Sequence, residues 1–226
     1  MTQVGTNKNE KEIKFLGVLI DQNLTWKPHI NNILNKTAKS IYVINKMKHF
    51  VPSDTLKTLY YTLIHPHFTY GIYVWGNSTQ INKIQLQQKR CIRLINKKSY
   101  RAHTEPLFKM NKILMIEHLF HLHILLFMYD HRNKRLPQSF DNFAKKNIDI
   151  RQRSTRQNDL YHTGRPRTNF SLKLPNHSFP RVWNEQNQQL LQIENRTTFK
   201  HEYIKLSLSS YNITIRCNNI LCRDCH

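Results

Sequence analysis

Apolar residues recur at helical spacing over residues 28–49, and this pattern constrains the fold more than any other feature. From Pro28 onward the apolar side chains fall within about 100° of one another on a helical wheel, with lysines on the other side. The apolar positions are Ile30, Ile33, Leu34, Thr37, Ile41 and Ile44, and the lysines are Lys36, Lys39 and Lys46. The stripe predicts an amphipathic helix that ends near His49.

Helical patterns continue along the chain after a break at Val51-Pro52-Ser53. A second helix is predicted as far as Pro66, which ends or kinks it because proline lacks the amide donor that a helix interior needs. A strongly apolar stretch over Met115 to Phe127 predicts the core helix of the second half. Only 5 Gly and 8 Pro occur among the 226 residues, which excludes collagen-like, glycine-rich and linker-like chains.

Two stretches predict β-strands. Phe15 to Asp21 is a short continuous apolar run, typical of a buried strand. The polar residues before it and the helix after it offer little material to complete a sheet, so we expect the chain to be a piece of something larger. Phe170 to Leu174 alternates apolar and polar residues, which predicts a second short strand.

These patterns predict a mainly α fold: a short N-terminal β-strand or hairpin remnant, a helical bundle, and a smaller, basic α+β C-terminal region. We expect four segments along the chain. They are a polar N-terminus with the strand at 1–25, a helical domain at 26–131, a basic connector at 132–168, and a small C-terminal region with a cysteine-containing tail at 169–226.

The charge balance is strongly positive, with 35 Lys and Arg against 14 Asp and Glu and a formal net charge of +21. Such an excess favours a polyanionic partner, either nucleic acid or an anionic membrane surface. An AT-rich genome would also produce many Asn, Lys and Ile codons without selection for binding. That bias explains extra Lys but not the scarcity of acids, so nucleic acid is the preferred partner.

The stretch from Ile81 to Lys97 predicts a helix with one apolar and one purely basic face. Its apolar stripe contains Ile81, Ile84, Cys91, Ile92 and Ile95, and its basic face contains Lys83, Lys89, Arg90, Arg93 and Lys97. Like charges at this spacing destabilise a helix by a few tenths of a kcal/mol per pair, and no acid relieves them. We therefore predict a phosphate-binding surface, with an ordinary solvated face as the alternative.

A second basic segment lies at 145–168, where few apolar residues occur. It predicts a basic loop that carries Arg151, Arg153, Arg156, Arg165 and Arg167. Flexible arginine-rich segments also bind phosphate, so this loop competes with the helix as a binding site.

No catalytic constellation is visible in the sequence. Polymerase and nuclease sites need closely set carboxylates, but the closest pair here, Glu10 and Glu12, lies in a polar segment without a third ligand. Asp21 is expected to form a turn. His118, His121 and His123 cluster on the apolar helix without a ligand pattern, and no glycine-rich phosphate loop occurs. We expect no catalytic residue and no bound cofactor.

The C-terminus holds a weak metal candidate, formed by Cys217, Cys222, Cys225 and His226. Thiolates and an imidazole can complete a tetrahedral zinc site. Structural zinc sites usually join two chelating pairs across a longer loop, so we expect unbound thiols and no metal.

The sequence shows neither a signal peptide at the N-terminus nor a stretch apolar enough to span a membrane. The N-terminal segment is polar where a signal peptide would be apolar. The longest nearly apolar run, Leu119 to Tyr129, is too short for the roughly 20 residues that a bilayer requires. Four cysteines do not make a disulfide scaffold. We expect an intracellular protein, in the nucleus or cytoplasm, without a membrane partner.

An ordered series of landmarks resembles a known family. Phe15 to Asp21 with Leu24-Thr25-Trp26 is similar to the segment just after the catalytic palm in reverse transcriptases of non-long-terminal-repeat retrotransposons, especially jockey-like elements. The likeness continues at Tyr70-Gly71, Trp75-Gly76-Asn77, Gln85-x2-Gln88-Lys89, Leu136-Pro137 and, more loosely, Arg165-x-Arg167-Thr168 and Trp183-Asn184.

The resemblance implies a primer-grip-like hairpin at Phe15, Leu16 and Gly17, followed by a thumb-like helical domain that holds RNA or an RNA–DNA hybrid. The family's catalytic Tyr-x-Asp-Asp motif has no counterpart here, so we expect no polymerase activity from this chain alone, and Mg²⁺ only in an intact parent enzyme. The palm and fingers of such a parent are a further expected partner. The rival hypothesis is a helical structural or interaction protein, or an inactive genomic relic.

Overall fold

The computed structural model describes residues 12–150 and 158–211. These residues contain twelve α-helices, a short 3-10 helix at Gln138–Phe140 and one two-stranded sheet. The strands are β1 Glu12–Phe15 and β2 Val18–Asp21. The helices are α1 Lys27–Met47, α2 Ser53–Leu63, α3 His65–Thr69, α4 Ile72–Trp75, α5 Ile81–Ile95, α6 Glu105–Asn111, α7 Ile116–Arg132, α8 Asn147–Ile150, α9 Asn169–Lys173, α10 Pro175–Asn184, α11 Gln188–Leu191 and α12 Arg196–Ser210.

The fold is mainly helical, as predicted, and divides into two compact units. The first contains the described residues up to Ile116, and the second contains Glu117–Tyr211. The sequence placed the long apolar helix α7 at the end of a 26–131 domain, whereas its contacts group it with the second unit. The expected four-segment division stays a prediction.

The N-terminal apolar run is a hairpin and not one buried strand. β1 and β2 pair antiparallel, with Phe15 opposite Val18. Leu16 and Gly17 form the turn at positive φ, 45° and 84°, which is the backbone that two-residue hairpin turns require. The two strands pair with each other, and no further strand joins them among the described residues. β1 is exposed and β2 is only half-buried.

The core of the first unit is built by α1, α2 and α5. α1 buries the predicted stripe, except for the half-buried Leu34, and adds His29 to it. α2 ends at Leu63, just before Pro66, and α5 buries Ile84, Cys91, Ile92 and Ile95. The helical spacing of apolar residues therefore located these three elements.

The second unit is organised around α7, which is apolar on nearly all sides and forms the predicted core. Phe127 packs edge-on against Phe143 and Phe179, with ring centroids 5.0 and 5.4 Å away. The guanidinium of Arg132 lies over the rings of Tyr129 and Trp183 and donates hydrogen bonds to the carbonyls of Leu191 and Ile193. This cation is therefore part of the core structure.

The C-terminal strand predicted at Phe170 to Leu174 is wrong, because this stretch is the short helix α9. The hydroxyl of Thr168 accepts a hydrogen bond from the amide of Ser171 and caps the helix, and Pro175 follows. The described part of the expected α+β region, residues 169–211, contains helices and no strand. One isolated bridge, between Lys146 and Tyr161, lies in the expected connector.

Candidate nucleic-acid interface

The sequence landmarks of the first unit meet at one place, where the hairpin packs on the α3–α4 corner. Tyr70 donates a hydrogen bond from its hydroxyl to the carbonyl of Leu16 at the hairpin turn. Gly71 has φ 63°, and a Cβ atom there would lie 3.3 Å from Val18. Trp75 donates from its indole Nε1 to the Tyr70 carbonyl at 3.0 Å. The Tyr-Gly and Trp landmarks thus position the hairpin.

Two side chains fasten β2 to α1. His29 is buried, and its Nδ1 accepts a hydrogen bond of 3.3 Å from the amide of Leu19. Burial, with a smaller effect of the charge on Lys36, lowers the pKa of His29. Asp21 accepts hydrogen bonds from the amides of Thr25 and Trp26, which confirms the predicted turn. Desolvation raises the pKa of Asp21, but these bonds outweigh it and the net pKa is lowered.

Two consecutive glutamines fix α5 within the first unit. Gln87 donates to the Leu34 carbonyl on α1 and accepts from the hydroxyl of Thr37. Gln88 has an exposed fraction of 0% and makes three buried hydrogen bonds. Its Nε2 donates to the Tyr60 hydroxyl and the Leu114 carbonyl, and its Oε1 accepts from the amide of Ile116, all at 2.9 Å. These bonds hold the orientation of the basic helix.

The basic face predicted on α5 points away from its buried stripe. Lys83 and Arg90 are exposed on α5, whereas Lys89 and Arg93 are partly buried. Lys97, predicted on this helix, is exposed but lies just beyond its end at Ile95. No Asp or Glu occurs in the sequence between Asp54 and Glu105. The charges of this face are therefore not neutralised by acids of their own segment, which favours attraction toward a phosphate.

The side chain of Arg93 makes contacts within the protein. Its Nε donates to the carbonyl of Ala102 at 2.8 Å, and its guanidinium carbon lies 5.8 Å from the ring centroid of Tyr100. Burial lowers the pKa of Arg93, partly opposed by Tyr100, but an arginine side chain stays charged. Arg93 therefore connects the end of α5 to the loop that follows.

The helix α5 ends in a motif usually made with glycine. The amide of Lys98 donates to the Arg93 carbonyl and that of Lys97 to the Leu94 carbonyl, the bond pattern of a Schellman motif. Lys97 is at φ 53°, in the left-handed region. The ends of α6 and α7 repeat this arrangement with Lys112 and Lys134.

Only some of the other predicted site residues lie within the described part of the chain. Arg165 and Arg167 are exposed. Arg151, Arg153 and Arg156 lie outside the described residues, as do Cys217, Cys222, Cys225 and His226. Phe15 and Leu16 are 62% and 75% exposed and sit with Gly17 at the hairpin turn.

The described residues contain neither a candidate metal cluster nor a helix that could cross a membrane on its own. No group of three or more His, Cys, Asp or Glu there could hold a metal ion. Cys91 is buried, and burial raises its pKa to about 12. No single described helix is long and apolar enough to cross a bilayer, and α6 and α7 meet the length and composition criteria only as a bent pair.

Curated proteins related to the chain are retrotransposon polymerases. A probable RNA-directed DNA polymerase from transposon X-element of Drosophila melanogaster is 33% identical over 88 residues, 36% of this chain. The RNA-directed DNA polymerase from mobile element jockey of Drosophila funebris is 29% identical over 90 residues, 38% of this chain. The chain contains a jockey-like, reverse-transcriptase-related region.

The jockey-like region corresponds to a small part of those relatives, since each match covers 10% of the relative's length. No protein-family profile matches the chain. No solved structure matches it either.

Proposed function

We propose that the chain is the thumb-containing C-terminal region of a retrotransposon RNA-directed DNA polymerase, without the catalytic palm, and that it binds RNA or an RNA–DNA hybrid independently of sequence. The observation that carries this proposal is the exposed basic face of α5, in a stretch of sequence free of acids. The jockey-like relatives are named as RNA-directed DNA polymerases, which supports a nucleic-acid partner.

The exposed cations are arranged for phosphate contact. Lys83, Arg90 and Lys97 follow one another at intervals of seven residues. Lys83 and Arg90 lie on α5 itself, nearly in line and about 10 Å apart, and Lys97 follows just after the helix ends. Such a row can follow a nucleic-acid backbone, and phosphate contacts fix position without reading bases.

The hairpin turn is the second element of the proposed surface. Phe15, Leu16 and Gly17 are the primer-grip-like residues, held in place by the contact between Tyr70 and the Leu16 carbonyl. We expect no primer extension by this chain alone, with either magnesium or manganese. A purified chain that extends a primer would contradict this part of the proposal.

Salt dependence of binding tests the proposed surface. Each phosphate neutralised in a duplex contributes about 0.9 to the slope of log affinity against log salt. The triple variant Lys83→Gln, Arg90→Gln and Lys97→Gln should therefore lower that slope by about 2 to 3 units on an RNA–DNA hybrid. The apolar stripe is untouched, so circular dichroism should be unchanged.

A matched control removes the same charge elsewhere in the first unit. Lys36→Gln, Lys39→Gln and Lys46→Gln on α1 should leave the salt slope near that of the wild type. If the α5 triple variant keeps the wild-type slope while Arg165→Gln with Arg167→Gln loses it, binding belongs to the second basic segment and the proposed surface is wrong.

A second candidate function, contact with the palm or fingers of a parent polymerase, is favoured by the apolar residues exposed at the hairpin. Ile13, Phe15 and Leu16 are all more than half exposed, and exposed apolar residues in a group are typical of protein contacts. Failure of the wild-type chain to bind any nucleic acid would leave this interaction role as the better proposal.

A further inference from the structure

We propose that Tyr100 is a stacking platform for an unpaired base of single-stranded RNA or DNA, and that Arg93 positions it. This inference rests on the proposed function and adds a preference for single-stranded segments at the same surface.

Tyr100 is a large aromatic residue that is almost fully exposed to solvent. It is 82% exposed, in the loop that joins α5 to α6. The guanidinium of Arg93 lies over its ring, 5.8 Å from the centroid. Because one face carries this cation and most of the residue is still exposed, the other face of the ring is available to a ligand.

The loop that carries Tyr100 is held by several hydrogen bonds. Arg93 donates to the Ala102 carbonyl at 2.8 Å, and the amide of Ala102 donates to the Ser99 carbonyl at 3.2 Å. The amide of Lys98 donates to the Arg93 carbonyl at 2.9 Å, and Ala102 is buried. The exposed ring therefore projects from an anchored loop, which lowers the entropy lost when it orders against a ligand.

The surroundings of Tyr100 match one ligand chemistry. Lys97, Lys98 and Arg101 are exposed in the same loop, and they provide charge for phosphates on either side of a stacked base. Proteins that hold single strands combine such charges with aromatic rings, because every base has a π-face that can stack. The base pairs inside a duplex are already stacked on one another, so a blunt duplex offers that face only at its two ends.

The test compares single-stranded and duplex probes on the full chain. The probes are a mixed-sequence single-stranded DNA of about 12 nucleotides with a central 2-aminopurine, and the blunt duplex of the same sequence. Tyr100→Ala should weaken single-strand binding by about 5-fold to 150-fold, the size of effect that loss of one stacked base produces. It should leave duplex binding and the salt slope unchanged, because no charge is removed.

Two matched variants control for aromaticity and exposure. Tyr100→Phe keeps the ring and should bind as the wild type does. Phe50 is also 82% exposed but lies in the turn between α1 and α2, so Phe50→Ala should have no effect. 2-Aminopurine fluorescence should be quenched by the wild type and by Tyr100→Phe, and quenched less by Tyr100→Ala.

A double-mutant comparison tests Arg93 as a positioning residue. Arg93→Gln should reduce the 2-aminopurine quenching when Tyr100 is present and should not reduce it further in the Tyr100→Ala background. A merely structural role for Arg93 would lower quenching in both backgrounds.

The outcomes separate this inference from the proposed function. If wild type binds both probes with a full salt slope but Tyr100→Ala binds the single strand as tightly, the stacking platform is wrong and the basic surface stands. An equal loss of single-strand and duplex affinity in Tyr100→Ala also overturns the platform. If the wild type binds neither probe, both proposals fail.

Discussion

Replacing Gln88 by Leu tests whether the buried hydrogen bonds of α5 hold the first unit together. Leucine has a similar volume and fits an apolar stripe, so packing loss is small. The change removes one hydrogen-bond partner each from the Tyr60 hydroxyl, the Leu114 carbonyl and the Ile116 amide, in a region where Gln88 and Tyr60 are 0% exposed.

The size of the effect follows from counting those groups. Leaving a buried donor or acceptor without its partner costs about 1 to 3 kcal/mol. Three affected groups, with partial relaxation, give an expected loss of about 3 to 5 kcal/mol in the free energy of unfolding. Domains are stable by about 5 to 15 kcal/mol, so the variant should fold but unfold at much lower urea concentration.

Urea unfolding followed by far-ultraviolet circular dichroism measures this loss, with hydrogen exchange to locate it. Gln87→Leu is the matched control, since Gln87 is only partly buried and water can replace its bonds; its expected loss is about 1 kcal/mol. A Gln88→Leu variant no less stable than Gln87→Leu would refute the argument that the buried amide stabilises the unit.

Three further predictions concern the hairpin contact and the core of the first unit. Burial lowers the pKa of His29 below its unfolded value of about 6.5, so its contribution to stability is present above that pH and is lost as the pH falls. The decline in the free energy of unfolding between pH 7 and 5 should therefore be shallower in His29→Gln than in the wild type, and an equal decline in both would contradict this. Gly71→Ala should lower the free energy of unfolding by about 1 to 2 kcal/mol through backbone strain, and by more through the contact with Val18. Thermal melting measures this loss, and an unchanged melting temperature would argue against close packing of the hairpin on the α3–α4 corner. Cys91 should resist iodoacetamide at pH 8 until the chain unfolds, since burial raises its pKa to about 12; mass spectrometry of the labelled peptide reports the outcome.

The helices of the first unit could be predicted because their signal is local. Apolar spacing depends only on residues three and four positions apart, and it located α1 and α5 within a few residues. The apolar pattern indicated one strand over Phe15 to Asp21, because the turn places Leu16 at positive φ, a conformation that the residue type does not indicate. The resemblance to reverse transcriptases implied the hairpin. α9 was missed because Phe170 to Leu174 also fits alternation, and the cap from Thr168 decided the structure.

The candidate site was predictable in its charge but not in its detail. The exposure of Lys83 and Arg90 follows from their position opposite the apolar stripe, whereas Lys97 lies beyond the end of α5. The partial burial of Arg93 depends on the loop that folds back onto it, and the spacing of apolar residues along the sequence does not indicate that contact. Gln88 gave a signal that could have been used, because it lies four residues from both Ile84 and Ile92, inside the stripe that faces the core.

The lysines at the ends of α5, α6 and α7 would respond differently to laboratory selection for stability and for RNA binding. Lys97, Lys112 and Lys134 occupy left-handed backbone, where a side chain costs about 1 kcal/mol relative to glycine. A selection for heat resistance should therefore enrich glycine at all three positions. At Lys97 the same substitution removes a cation from the proposed binding row, so a selection for tight RNA capture should retain lysine there. Enrichment of glycine at position 97 under the first selection and of lysine under the second would distinguish the backbone preference for glycine from the contribution of the lysine charge to RNA binding.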